Sequence, residues 1–587
     1  MLDPKEYMAD WQDLPYANFI EWLDGICAKN AAKPAIYFKD YETKAVSTYT
    51  YGEVEAAAKR VAKGLAAAGL KKGDRVLLWL ENRPQWMFIW LGTVISGCVI
   101  VPVDFLVSEA ECLSILKFTG AKAAFFSKQK ADFQASDEVA ALRLSVSRLV
   151  SGETFASFGE DCERFAGLPN AREIDSNDAC SIVFTSGTTG FAKGVVLSHK
   201  GIIANANAAV IMLEPRENDV FINVLPLHHT YPTTCSFISP LSLGISTIIV
   251  EKLVGSVVID NIHHFGGTFL IAVPVLYDKM MAAINAKYQK LPAIIRLPLN
   301  LLRSIALKKA RAGDPDFGRG VFRFIRKKAG LEHINIMVAG GGALNIKTAD
   351  FFDSFGFNIV HGYGMSENGP LISVNTPKHK RNESVGLSVK YTTVRIVSQN
   401  DENVYLGPGE SGEIVVKSPS LMLGYYENAE AAAQMFNAEG FLKTGDLGYM
   451  DADGFIYING RAKNLIVSAG GKNVYPEEIE ARFSGSRVVG EILVLGRRSE
   501  EYGEYIFAVI VPNNDALAED WGKKAEDSGF VRELIKKEVE AVNRKLTVYK
   551  KISDWMLRTE EFEKNAQKKI RRFLYKDYED PKKTPIL

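Results

Sequence analysis

The sequence predicts a layered α/β protein: a large N-terminal domain of α/β sheets with a β-rich subdomain, followed by a small α+β C-terminal domain. Three observations carry this. Helical and strand signals alternate through the first half, the strands are continuous apolar runs, and the chain changes character near residue 385 and again after Arg461. Apolar strands alternating with helices indicate mostly parallel sheets covered on both faces. At 587 residues, roughly three to five structural units are expected. A composition 47% hydrophobic and 24% charged excludes a disordered or collagen-like chain. Seventy basic residues balance seventy acidic ones, so no bulk field recruits nucleic acid.

Taken in order, the first six residues lack the basic-then-apolar plan of a secretory leader. Val54, Ala58, Val61, Leu65 and Ala68 mark one face of a helix over 51–69, and residues 75–80 read as the strand that follows. Residues 84–103 carry no charge and approach the length of a membrane span. Gly92 and Gly97 interrupt them and a β-branched run ends them, so the expectation is a helix, a Gly97 cap and a core strand. Further strands are expected at 123–126, 221–225, 246–250 and 334–338. Between about 385 and 460 the turns become dense and the strands short, which marks the β-rich subdomain. The domain boundary is placed between Arg461 and Ala462, giving units of 1–461 and 462–587. The second is expected to hold a helix at 477–483, a strand near 491–495 and charged helices beyond Phe530. Six scattered cysteines (Cys27, Cys98, Cys112, Cys162, Cys180 and Cys235) share no metal-type spacing. They read as buried thiols in a reducing compartment, so a cytoplasmic place is expected.

Residues 287–328 stand apart, with twelve basic residues against Asp314 and Asp316 and a strongly apolar stretch at 291–302. Two readings stay open: a basic amphipathic patch for a membrane surface or a partner, or a solvated helical pair.

The chemistry is concentrated in a few motifs. An apolar strand runs into Thr185, Ser186, Gly187, Thr188, Thr189 and Gly190, then Lys193 and a second strand. Glycines let backbone N–H groups approach a polyphosphate, hydroxyls add donors, and the lysine adds a point charge. The spacing is not that of a Walker A loop, and no helix follows to offer its dipole. Downstream come Leu225-Pro226-Leu227-His228-His229-Thr230-Tyr231, Ala339-Gly340-Gly341-Gly342-Ala343, His361-Gly362-Tyr363-Gly364-Met365-Ser366-Glu367, Thr444-Gly445-Asp446 and Gly460-Arg461-Ala462-Lys463. Ser468-Ala469-Gly470-Gly471-Lys472 and Gln567-Lys568-Lys569-Ile570-Arg571 complete the series.

These motifs, in this order and over nearly the whole chain, resemble the adenylate-forming superfamily of acyl-CoA synthetases, luciferases and peptide-synthetase adenylation domains. The resemblance is strongest to long-chain fatty acyl-CoA synthetases. It implies ATP, Mg2+ and coenzyme A as cosubstrates and cofactor. The loop from Thr185 to Lys193 would meet the phosphates, and His229 would stand near the reacting carboxylate. Gly341, Gly342 and Ala343 would line the nucleotide and acyl pocket, with Tyr363 and Gly364 at the adenine. Ser366 would contact the α-phosphate, Glu367 would hold magnesium, Asp446 would bind the ribose hydroxyls, and Arg461 would be a second nucleotide contact. Lys463 would be the hinge of a mobile C-terminal domain, Gly470 and Gly471 the loop presented during thioester formation, and Lys569 the catalytic lysine. Lys568 stands where the family usually has glycine, which leaves open which lysine acts.

The implied reaction is attack of a carboxylate on the α-phosphate of ATP, followed by transfer of the acyl group to coenzyme A. A long acyl chain needs an apolar tunnel, and residues 273–277 are candidates for part of its wall. Aryl or medium-chain acids and an acyl-carrier-protein acceptor are the alternatives within the family. A non-catalytic, membrane-associated acyl or nucleotide binder is the alternative outside it. A homodimer, and peripheral contact with the inner face of a membrane through 287–328, are left open.

Overall fold

The computed structural model describes residues 14–150, 173–185, 193–467, 472–499, 503–564 and 570–575. Nine strands form the first sheet, in the order Leu387–Ser388, Leu371–Val374, Ile359–Gly364, Ile336–Ala339, Phe269–Ala272, Val220–Asn223, Ser246–Ile249, Pro34–Lys39 and Val46–Thr50. The six from Ile359–Gly364 to Pro34–Lys39 run parallel. A second sheet has seven strands, ordered Gly424–Tyr425, Lys193–Ser198, Ala179–Thr185, Val99–Pro102, Arg75–Trp79, Ala123–Ser127 and Val146–Val150. Its last five are parallel and its first two antiparallel. The predicted strands therefore form, with ends displaced by one or two residues.

One core joins the two sheets. Ile36 and Ile249 of the first and Val76, Leu78 and Ile100 of the second share a buried cluster with the helices Tyr51–Ala67 and Pro84–Ile95. Thr50 and Glu53 form a capping box at the start of Tyr51–Ala67. Every residue of Pro84–Ile95 is buried, which explains its uncharged sequence without a bilayer. Twelve residues make a helix of about 18 Å, against about 30 Å of hydrocarbon. Among the described residues no helix is long and apolar enough to cross a membrane. Gly97 ends the helix at φ +78°, as its cap role requires. Gly92 does more than interrupt it: a Cβ there would fall 2.4 Å from Val61 Cβ and 2.6 Å from the Ala58 carbonyl oxygen. Its missing side chain lets the two helices pack at close range.

Thr393–Val397, Gly412–Lys417, Leu442–Met450 and Ile456–Arg461 form an antiparallel four-stranded sheet over the region expected to be β-rich. Beyond it, Val489–Ser499 pairs antiparallel with Gly503–Pro512, which pairs parallel with Asp554–Leu557. The helix Ser528–Asn543 lays Val531, Ile535 and Val539 on this sheet. The core clusters here hold no described residue before Ile466. One expectation fails: where several charged helices were expected beyond Phe530, a single long helix is followed by a strand. Asp554–Leu557 is an edge strand without a fully buried residue. Edge strands tolerate nearby charge, here Lys550, Lys551 and Arg558, and the charge disguised it. Five cysteines are buried free thiols; Cys162 lies outside the described residues.

His199, the first residue of the helix His199–Leu213, accepts a hydrogen bond at Nδ1 from the Phe19 backbone N–H at 3.3 Å. Burial pushes its pKa down to about 4. The folded state thus binds this proton less readily than the unfolded chain. The associated stability is complete above about pH 6.5 and is lost as pH falls toward 4, by up to about 3 kcal/mol. Urea unfolding across that window should show the loss, and His199→Asn, which keeps an acceptor without a titratable ring, should reduce it. Identical pH profiles for the two proteins would exclude His199 as a source of acid sensitivity.

Candidate active site

Because six neighbouring strands of the first sheet are parallel, their carboxyl ends share one edge, and four of the sequence motifs leave from it. Residues 225–231 follow Val220–Asn223, residues 273–277 follow Phe269–Ala272, residues 340–343 follow Ile336–Ala339, and Ser366 and Glu367 follow Ile359–Gly364. After Val220–Asn223 the chain builds Ser246–Ile249 on one side, then returns to build Phe269–Ala272 on the other. The crevice at such a reversal is where open α/β sheets bind ligands.

The histidine loop is held from the second sheet. Asn82 donates through Nδ2 to the Leu225 carbonyl at 2.8 Å and accepts from the Leu227 N–H at 2.9 Å. His228 Nε2 lies 3.6 Å from Asp104 Oδ2, and the His228 and His229 rings are 4.0 Å apart. Burial lowers the pKa of both imidazoles, His228 well below the usual range, with its neighbour adding to the effect. Both rings are therefore neutral near pH 7. Among the described residues neither buried Nε2 atom has a hydrogen-bond partner, so each could still engage a ligand atom.

The glycine turn packs on the same crevice. A Cβ on Gly340 would stand 2.7 Å from the Tyr231 ring, one on Gly341 3.6 Å from Val273, and one on Gly342 3.7 Å from Pro274. His361 Nε2 lies 2.9 Å from the Gly342 carbonyl oxygen, and Ala343 is exposed. Val273 and Pro274 thus lie beside the glycine turn. Tyr277 lies in the core: it is fully buried and donates to the Leu270 and Val338 carbonyls at 2.8 and 3.0 Å.

A polar row crosses from the second sheet to the first. Thr185 pairs with Lys193 at the mouth of the hydroxyl-rich hairpin. Ser186, Gly187, Thr188, Thr189 and Gly190 lie outside the described residues. Lys193 Nζ sits 4.6 Å from the centre of the Tyr425 ring, and the Tyr425 hydroxyl donates to Glu367 Oε1 at 2.8 Å. Ser366 Oγ and Thr230 Oγ1 lie 3.3 Å apart, which brings the row to the residue beside His229. Sequence reasoning missed Tyr425. It stands in a two-residue strand, too short to register as one, and the Gly424-Tyr425-Tyr426 grouping was its one available signal.

Asp446 anchors a third group. The Tyr363 hydroxyl donates to Oδ2 at 2.6 Å, and Arg461 Nε lies 2.6 Å from Oδ1. Asp446 and Arg461 are register partners on adjacent antiparallel strands. Burial, together with the charge of Asp446, raises the Tyr363 phenol well above its usual pKa, so it remains a donor. Gly364 has no room for a side chain, because a Cβ would fall 2.2 Å from the Pro370 carbonyl oxygen. Tyr363 lies near the end of the strand Ile359–Gly364 and Glu367 follows it, so Asp446 and Glu367 are both held near one strand end.

Lys463 is exposed in the turn Ala462–Asn464 that follows Arg461. Gly470 and Gly471 lie outside the described residues, between the paired strands Ile466–Val467 and Asn473–Val474. Lys569 also lies outside them. Its loop is closed at the base by the Lys564–Ile570 bridge and clamped by Lys564 to Glu491 and by Arg572 to Glu480 and the Val494 carbonyl. The C-terminal unit touches the glycine turn's flank, where Asn345 Nδ2 donates to Ser484 Oγ at 2.6 Å.

Among the described residues no three His, Cys, Asp or Glu side chains gather to hold a metal. Glu367 alone, beside the Ser366 and Thr230 hydroxyls, fits a magnesium ion that arrives on phosphates and takes one protein carboxylate.

A doubly wound sheet with a crevice at its reversal, flanked by this carboxylate–tyrosine–arginine group, defines a nucleotide-binding α/β protein. Residues 23–426 match the AMP-binding enzyme family and residues 463–581 its AMP-binding enzyme C-terminal domain; the chain belongs to this family. It is 27% identical over 584 residues to a probable acyl-activating enzyme 16, chloroplastic, from Arabidopsis thaliana, covering 87% of this chain and 78% of that one. It is 27% identical over 476 residues to the long-chain-fatty-acid–CoA ligase FadD13 of Mycobacterium tuberculosis, covering 80% and 84%. The fold is similar to that of the anthranilate CoA ligase AuaEII in complex with anthranoyl-AMP, with a TM-score of 0.78 at 23% identity, covering 97% and 99% of the two chains.

Asp446→Asn is expected to weaken AMP binding about tenfold or more, measured by calorimetry. Tyr363→Phe removes only the hydroxyl that presets the carboxylate and should cost a smaller factor, about threefold. Unchanged affinity in both variants would remove Asp446 from the nucleotide site.

Proposed function

We propose that the protein is an acid–thiol ligase that converts a long-chain fatty acid to an acyl adenylate and then to its coenzyme A thioester, releasing AMP and pyrophosphate. The observation that carries this reading is the continuous row from Lys193 through Tyr425, Glu367, Ser366 and Thr230 to the neutral histidine pair. It runs from a phosphate-type hairpin to the crevice between two parallel strands. The family match and the fatty acid ligase among the relatives support it.

The substrate carboxylate attacks the α-phosphorus and pyrophosphate leaves, so the protein supplies no nucleophile. Its contribution is alignment and stabilisation of charge on phosphate oxygens. Lys193 and Thr185 face the polyphosphate. Ser366 donates to the α-phosphate, while Tyr425 orients Glu367 and lies against Lys193. Magnesium, held by Glu367, neutralises phosphate charge when bound. A neutral His229 can donate one hydrogen bond to the acid without pairing its charge away. Gly341, Gly342 and Ala343 border the acyl and nucleotide crevice, with Val273 and Pro274 beside the first two. Asp446 takes the ribose hydroxyls, Tyr363 and Gly364 flank the base, and Arg461 assists.

The unit 462–587 pivots near Lys463 between the two half-reactions. In the first it brings Lys569 to the α-phosphate. In the second it presents Gly470 and Gly471 to the pantetheine arm of coenzyme A.

Exchange of labelled pyrophosphate into ATP, dependent on added acid, tests the first half-reaction. Exchange should rise with acyl chain length, and acyl-CoA should form once coenzyme A is added. A maximum with aryl or medium-chain acids would replace the fatty acid. AMP binding without exchange for any acid would make the protein a non-catalytic binder. Lys569→Ala should lower exchange by about 100-fold or more and spare thioester formation from supplied acyl adenylate. Lys568→Ala should affect exchange far less. Equal loss of both half-reactions in the Lys569 variant would overturn its assignment.

A further inference from the structure

The helix Ala293–Arg311 has two apolar faces. Successive 100° steps place Leu299, Leu302, Ala306 and Ala310 on one side, where they pack on or are buried in the body of the protein. Arg303, on the same side, spreads its guanidinium over the Tyr288, Phe351 and Phe355 rings. Ile294, Leu297, Leu301 and Ile305 fall on the opposite side at spacings of three and four residues. They remain exposed, with Ile294 at 83%, Leu297 at 68% and Leu301 at 65%. Such a stripe is normally covered. The following helices add exposed Val321 and Phe324.

The same segment carries unpaired positive charge, and successive 100° steps place Lys308 on the side of this stripe. Asp314 and Asp316, the two acids of 287–328, are engaged by Lys309 and Arg319, while Arg311 pairs with Asp350. Among the described residues no carboxylate pairs with the exposed Lys287, Lys290, Lys308, Arg323, Lys327 or Lys328. The two ends of the segment also converge: Lys287, Lys327 and Lys328 line one open cavity of about 460 Å³ with His263. Asp260, the carboxylate on that cavity, is already held by Lys39 and Tyr41 at 2.7 Å. The helix Arg323–Lys328 is locked in orientation by Arg326, which is buried, donates to the Gly356 and Ile334 carbonyls, and lies over Phe357. Its neighbours Arg323, Phe324, Lys327 and Lys328 therefore face outward.

We propose that this face docks on an anionic lipid surface, with Ile294, Leu297, Leu301 and Ile305 entering the acyl boundary and the unpaired lysines and Arg323 meeting the headgroups. Apolar residues flanked by basic ones suit the plane between water and hydrocarbon, where each part meets its complement. A second protein copy would bring the same positive charge and repel it. The docking does not depend on which acid is activated, so its test reads binding alone.

Flotation of the full chain with vesicles of phosphatidylcholine containing one-third phosphatidylglycerol should recover the protein with the lipid. Vesicles of phosphatidylcholine alone should recover much less, and high salt should release it. Leu297→Gln combined with Leu301→Gln should weaken recovery about tenfold or more. Lys308→Gln, Lys327→Gln and Lys328→Gln together should abolish the preference for phosphatidylglycerol. Thermal unfolding curves matching the unsubstituted protein would show that both variants are folded. Three results would overturn the proposal: no flotation of the unsubstituted protein, flotation unaffected by the paired leucine substitutions, or sedimentation showing a lipid-free dimer that those substitutions dissociate.

Discussion

Strand direction is the constraint on which the site depends. Six adjacent strands pointing one way must end at one edge, so loops separated by more than a hundred residues in sequence arrive together. Parallel pairing also requires long return connections, and these become the helices that bury both faces of the sheet. The fully buried, uncharged helix Pro84–Ile95 and the glycine that admits its neighbour follow from that need: two sheets and their shared helices leave no layer for charge. The crevice is a consequence of the same geometry, since the point where the chain reverses its direction of building leaves neighbouring loops splayed apart.

Polar groups at this edge are sorted by what compensates them. His228 is buried and His229 half-buried, and despite Asp104 nearby the loss of solvation keeps both rings neutral. Asp446, also withdrawn from water, has Arg461 and the Tyr363 hydroxyl on its two oxygens. The result is a division between uncharged imidazoles and a braced carboxylate.

The parts legible in the sequence were those with a strong local signature. Apolar runs announced the parallel strands because both their faces are buried, and the glycine and hydroxyl motifs stood out because few backbones need that composition. What escaped depended on distant partners. Tyr425 matters through Glu367 and Lys193, both far away in sequence and brought to it by a two-residue strand that carries little local signal. Tyr277 looked like a pocket residue because aromatic side chains suit pockets and cores alike; its bonds to two strand carbonyls place it in the core. Asn82 carried no motif, yet it holds the histidine loop by two hydrogen bonds. Composition left the segment 287–328 open between a basic amphipathic patch and a solvated helical pair. It could not show that Ala293–Arg311 has one apolar side too many, because inward and outward are properties of the packed chain.

The clamped loop between Lys564 and Ile570 has a mechanical consequence. Its described flanks, Lys564 and Arg572, are riveted to the C-terminal body by Glu491 and Glu480. The two flanks can therefore move only when that body moves, as fixtures of its frame and not as free arms.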